Sequence, residues 1–180
     1  MPVDEVRVIS NKASGETGRL LQKALSGLKA NVTLLSGPFS FDILRKSLVS
    51  ELKTKKYDAV VHSAAVSDFQ PTRAFKGKIS SAKGSLMLKL ERTPKIIDLI
   101  KRISPDSLLI GFKFEPRASK EKLVKEARQL LKKSGAEFTV ANTDNKGYRA
   151  FIVSKATAIG PFLSKKSLAN ALARVLSREI

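Results

Sequence analysis

Cysteine is absent from the 180 residues. That excludes disulfides and thiolate chemistry, and it fits an expected cytoplasmic setting. Histidine occurs once, as His62. With no His/Cys cluster, a tightly held metal is not expected. His62 lies on an apolar stretch, where a packed imidazole is the commoner outcome. No apolar run reaches the length of a membrane span, and no charged-then-apolar leader opens the chain, so no membrane partner is expected. No G-x-x-x-x-G-K-[ST] run exists, which argues against a Walker-type nucleotide site, and no serine nucleophile elbow is present. Acidic residues are scarce: 16 against 34 basic, a net charge of +18. That balance favours anionic partners, or else a solvated basic surface. Aromatics make up only 6%, and no nucleic-acid-binding motif accompanies the charge. A basic nucleic-acid-binding module is therefore a disfavoured alternative.

What is present is an alternation of short apolar runs and amphipathic stretches. Strands are expected at residues 6–9, 32–35, 58–61, 108–110, 138–141 and 151–153. Helices are expected through Leu20, Leu21, Ala24, Leu25 and Leu28, and after the capping residues Ser40, Ser119 and Ser164. Thr93-Pro94 reads as another helix start. This rhythm predicts an α/β, Rossmann-like fold. A mainly parallel sheet has helices on both faces, and 1–180 form a single domain. Right-handed crossovers then bring the loops after the strands to one edge, where ligands bind. The polar clusters 11–18, 36–40, 63–68, 111–115 and 141–145 all follow strands. Residues 66–85 break the rhythm. They carry Pro71, Gly77, Gly84 and the basic residues Arg73, Lys76, Lys78 and Lys83, with Lys89 just beyond. A long lid loop is expected there.

The segment RVISNKASGETG is the most informative. A strand, a glycine turn through Gly15 and Gly18, and a helix make a phosphate-binding build, since unpaired amides and the helix dipole favour an anion. Written A-x-G-x-x-G, it approaches a dinucleotide fingerprint. The ribose-binding acid expected after the second strand is replaced by Ser36-Gly37-Pro38. An NADP-dependent Rossmann reductase is thus a second alternative, weakened further because Tyr57 and Tyr148 are the only tyrosines. Asn11 at the loop mouth can both donate to and accept from a bound carbonyl. Ser63-Ala64-Ala65-Val66-Ser67-Asp68 is built from small side chains that let a ligand approach the backbone. Lys78 is a candidate to stabilise charge on a transferring group.

Taken in order, RVISNKASGETG, NVTLLSGP, HSAAVSDFQP, KGKI, LERTPKIID, LIGFKFE and GAEFTVAN resemble the phosphopantothenoylcysteine synthetase family of coenzyme A biosynthesis, in its stand-alone form. The resemblance implies a ligase that joins 4′-phosphopantothenate to cysteine through an acyl-nucleotide. CTP or ATP would be the co-substrate with Mg2+, and the protein a homodimer in which the lid of one subunit helps close its partner's site. It implies that Asn11 holds the intermediate and that Ser14, Gly15 and Gly18 form the phosphate turn. Ala64 and Ala65 would flank the intermediate, and Asp68 would contact the nucleotide. Lys78 would be the catalytic lysine and a nucleotide ligand. Thr93, Pro94, Lys95 and Ile96 would meet the nucleotide phosphates, and Phe112 would pack near the base. No metal-ligating residue is implied. This chain departs from the family at Lys78-Ile79-Ser80-Ser81, which stands for K-I-K-K. It departs again at Leu130 and Ser134, where nucleotide lysines are expected, and at Ala141-Asn142-Thr143, which stands for A-N-D.

Overall fold

A computed structural model describes residues 1–37, 40–82, 84–144 and 146–180. Pro38, Lys83 and Asn145, named above in the polar clusters and the lid, lie outside the described residues. The main sheet has the order β1(Ala59–His62)-β4(Leu108–Phe114)-β5(Phe138–Thr143)-β6(Arg149–Val153)-β7(Ala158–Phe162). β1, β4 and β5 pair in parallel, while β6 runs antiparallel to both neighbours, so β6 alone points the other way. The helices are α1(Glu16–Ser26), α2(Phe41–Thr54), α3(Ile97–Ile103), α4(Lys120–Ser134) and α5(Lys165–Glu179). A separate two-stranded ribbon pairs β2(Phe69–Pro71) with β3(Leu90–Arg92).

Local chemistry explains most of the helices. Ser40 accepts from the Ile43 amide, Ser119 from Lys122, and Ser164 forms a capping box with Ser167, each satisfying amides that the helix leaves unpaired. α4 stops at Gly135, whose φ of 72° is the left-handed conformation that glycine adopts cheaply. The strands alternate between two cores. On β6, Phe151 and Val153 join Leu109, Leu123, Ala127 and Leu131 on the α2–α3–α4 side. Ala150 and Ile152 join Ile110, Leu168, Leu172 and Leu176 on the α1–α5 side. The period of two thus seats one helical layer on each face of the sheet.

Two expected strands are corrected. Residues 6–9 do not enter the sheet, and Val6 and Val8 are 66% and 68% exposed. Asp4 Oδ1 accepts from the Val6 and Arg7 amides, which turns the chain back on itself. Val3 N then donates to Arg7 O, and Ile9 N to Met1 O, each at 2.8 Å. This N-terminal hairpin uses backbone groups that a sheet strand would have offered elsewhere. Residues 32–35 also form no ladder; Tyr57 holds them through its hydroxyl and Thr33 Oγ1 at 3.0 Å. The helix expected from Thr93-Pro94 begins later, at Ile97, because the Thr93 hydroxyl donates to Ser67 O at 2.6 Å instead of capping.

The α1–α5 core sets a stability expectation. Leu168 is fully buried, and Leu168→Ala should lose about 2–5 kcal/mol in urea unfolding. Leu163, 69% exposed, should change by less than about 0.5 kcal/mol on the same truncation. Thr139 Oγ1 is the buried side-chain polar atom without a partner among the described residues. Thr139→Val should therefore gain about 1 kcal/mol.

Candidate functional site

The parallel pairing of β1 with β4 places the loop after each at one edge of the sheet. His62, opposite Gly111, ends β1, and residues 63–68 follow it. Asn11 Nδ2 donates to Ala65 O at 3.0 Å, joining the opening loop to this segment. Gly18 lies against the same strand end: a β-carbon there would sit 3.6 Å from Ser63 Oγ and 3.5 Å from Leu34. Asn11, Gly18, Ser63 and Ala65 therefore form one cluster, with Ala64 exposed beside it.

The turn before α1 is a glycine N-cap. Gly15 occupies the N-cap with φ of 69° and offers no side-chain cap. Ser14 Oγ accepts from Glu16 N at 3.3 Å. The Thr17 and Gly18 amides have no partner among the described residues and are the donors an anion would meet. Arg19, missed in the sequence reading, folds over this turn. Its Nη2 donates to Ser14 O at 2.7 Å, and its Nη1 lies 3.1 Å from where a Gly15 β-carbon would be. Its signal was its spacing, one helical turn beyond Gly15 on the same face.

A second cluster forms at the far end of the loop. Asp68 pairs with Lys95, and Thr93 N donates to Asp68 O at 2.9 Å. Pro94 and Lys95 are exposed, whereas Ile96 is 2% exposed, so the Ile96 side chain belongs to the core. Phe112 packs into the α1–α5 core from β4. Lys78 is exposed and has no hydrogen-bond or ion-pair partner among the described residues. Among the described residues no hydrogen bond or ion pair joins it to either cluster; its neighbours Gly77 and Ile79 are bound to the N-terminal hairpin.

The charges at this edge are mostly fixed by neighbours. Burial pushes the His62 imidazole down to about 4, so it is neutral near pH 7. Glu115, after β4, lies 3.0 Å from Lys113 Nζ and 3.5 Å from Lys122 Nζ. Those ammonium groups, Lys113 foremost, hold its carboxyl below the usual range despite partial desolvation. No group of three metal-ligating side chains occurs among the described residues. Leu130 and Ser134 face the interior: Leu130 packs on the core and against Gly111, and Ser134 is buried. A surface groove lined by Lys120, Val124, Lys125, Arg128 and Lys132 of α4 and by Ala158 of β7 holds no candidate site residue.

A family described as the DNA/pantothenate metabolism flavoprotein C-terminal domain matches residues 1–178. The chain belongs to that family. Among curated proteins, it is 39% identical over 154 residues to the coenzyme A biosynthesis bifunctional protein CoaBC of Thermococcus kodakarensis. That match takes in 78% of this chain and spans 38% of the relative's length. Among solved structures, the DNA/pantothenate metabolism flavoprotein from Streptococcus pneumoniae superposes with a TM-score of 0.84 at 24% identity, over 99% of this chain and 94% of that one. A Cab2 mutant in complex with phosphopantothenate-cysteine superposes at 0.61 and 21% identity, over 90% of this chain and 57% of that one. These likenesses agree with the α/β architecture and with the resemblance drawn from the motifs.

The two glycines of the turn should respond differently. Gly15→Ala places a β-carbon in left-handed backbone and against Arg19. It should cost about 1–2 kcal/mol in urea unfolding. Gly18→Ala meets only ordinary contacts and should shift stability by less than about 0.5 kcal/mol.

Proposed function

We propose that this domain joins 4′-phosphopantothenate to cysteine in coenzyme A biosynthesis, with CTP or ATP as co-substrate. The observation that carries the reading is the Asn11–Ala65 hydrogen bond. It unites the phosphate turn and the small-residue loop at one sheet edge, in a chain of this family. The Cab2 complex with phosphopantothenate-cysteine supports the same substrate class.

The substrate carboxylate attacks the nucleotide α-phosphorus, forming an acyl–phosphate bond and releasing pyrophosphate. The cysteine amine then attacks the acyl carbon, forming the amide and releasing the nucleoside monophosphate with one carboxylate oxygen, while the amine sheds its proton. The turn of Ser14, Gly15 and Gly18, with Arg19 above it, receives the phosphate end of phosphopantothenate. Asn11, held by Ala65, orients the acyl group beside Ala64 and Ala65. The cluster of Asp68, Thr93, Pro94 and Lys95, with the Ile96 backbone and Phe112, faces the nucleotide. Lys78 neutralises charge at the α-phosphate as the acyl bond forms. Leu130 and Ser134, turned inward, leave the nucleotide to other groups.

Magnesium in such a site needs few protein ligands. Asp68, exposed and the one carboxylate of the second cluster, fits an ion carried mainly by the triphosphate, and would supply a ligand to it. The ion's chemistry would be to screen phosphate charge.

We propose further that the domain, 1–180, works in the cytoplasm as a homodimer. The ribbon exposes Phe69 and Leu90, the segment before β3 exposes Leu86 and Met87, and the hairpin exposes Val6 and Val8. Such apolar side chains suit burial against a second copy. Among the described residues no helix is long and apolar enough to cross a membrane.

The test is pyrophosphate release with 4′-phosphopantothenate, cysteine, Mg2+ and either CTP or ATP. Release that depends on phosphopantothenate is expected; none with any triphosphate would refute the ligase. Lys78→Gln should lower kcat by about 10²–10³-fold. Asn11→Asp replaces the donor facing Ala65 O with a carboxylate, and should accumulate acyl-nucleotide with little amide formed.

A further inference from the structure

Asp4 is a buried carboxylate that the proposed chemistry does not use. Its side chain has no accessible surface, in a chain with only 16 acidic residues. Its two oxygens do different work. Oδ1 accepts from Val6 N at 2.9 Å and Arg7 N at 2.7 Å, closing the hairpin turn. Oδ2 reaches across the fold to Ile79 N at 3.1 Å and pairs with Arg7 Nη1 at 2.8 Å. Arg7 in turn donates to Ile79 O from Nη1 at 3.2 Å and Nη2 at 3.3 Å. One ion pair therefore grips both the amide and the carbonyl of Ile79. On the other side of Lys78, Gly77 O accepts from Glu5 N at 3.5 Å, and Phe75 N donates to Val3 O at 2.9 Å.

Lys78 thus sits between two tethered residues, its backbone fixed and its side chain exposed. The turn itself needs only Oδ1. The reach of Oδ2 to a residue 75 positions away serves the lid. Desolvation would raise the Asp4 pKa, but the amides of Ile79, Val6 and Arg7 and the Arg7 charge outweigh it and hold the group below the usual carboxylate range. It is therefore ionised, and an acceptor on both oxygens, near pH 7.

We propose that Asp4 is a positioning residue: through Ile79 it fixes the lid segment that presents Lys78 to the reacting phosphate. The inference rests on the ligase reading for its kinetic part only. Asp4→Asn separates the two jobs. The amide oxygen can still close the turn, but its N–H group meets the Ile79 amide donor to donor.

The experiment is amide hydrogen exchange together with pyrophosphate-release kinetics on the full chain. Exchange at Ile79 should speed by about tenfold or more, with β4 and β5 amides unchanged. The kcat should fall by about tenfold or more, with KM for cysteine within about twofold. On a Lys78→Gln background the same substitution should change kcat by less than about twofold, because the two residues act as one. Unchanged exchange at Ile79 overturns the tether. Faster exchange with unchanged kcat, or full additivity with Lys78→Gln, overturns the positioning role and leaves the ligase standing. No turnover in the unsubstituted chain overturns the ligase, while Ile79 exchange still decides the tether. Should Asp4→Asn lose protection throughout, Asp4→Ser is read the same way: its hydroxyl closes the turn, and Arg7, 41% exposed, can turn to water.

Discussion

The parallel register of β1 and β4, Ala59 opposite Leu108 through His62 opposite Gly111, is the constraint on which the rest depends. Parallel strands end on the same side, so the loop 63–68 and the segment after β4 emerge together. Gly111 makes this pairing compatible with the helical layer. A β-carbon there would lie 3.0 Å from Ile97 Cδ1 and 3.1 Å from Leu130 Cδ2, so with glycine these two side chains of α3 and α4 pack on the strand without shifting. The cores on both faces then hold the edge rigid enough for Asn11 and Ala65 to meet.

Around that edge the chain divides its labour between rigid and tethered parts. The glycine turn is the start of α1, which packs on α5 and is tied to it by the Glu16–Lys165 ion pair at 2.5 Å. The lid is different. It leaves the sheet through β2, returns through β3, and between them is held by hydrogen bonds to the N-terminal hairpin. Few buried apolar groups anchor it. A segment of this kind sits at the low-stability end of a structure, where moving elements are found. The proposed ligation needs a lysine whose side chain reaches a bound nucleotide from that tethered backbone.

Much of this was legible in the residues. The serines at 40, 119 and 164 announced their helices because capping is a local event. The apolar run at 151–153 announced a strand, which the fold buries on both sides. The cluster at the sheet edge was legible from motif order, since each polar run followed an apolar one. Two of the errors share a cause. Residues 6–9 and Thr93-Pro94 have the right local pattern, but distant or side-chain partners claimed their hydrogen-bonding groups first; for 32–35 nothing in the structure explains the missing ladder. Asp4 turned the first back on residues 1–3, and Ser67 O took the hydroxyl of Thr93. Arg19 and the Asp4–Arg7 pair were hidden for the converse reason: single charges in a basic chain mean little until their partners are known.

In the proposed ligation the carboxylate of phosphopantothenate attacks the α-phosphorus, and an amine later displaces the nucleotide from the acyl group. Oxygen-18 in that carboxylate reports the path directly. With labelled 4′-phosphopantothenate, cysteine, Mg2+ and CTP or ATP, mass spectrometry should find one labelled oxygen in the nucleoside monophosphate and one in the amide. Label in inorganic phosphate instead, with unlabelled nucleoside monophosphate, would contradict an acyl-nucleotide.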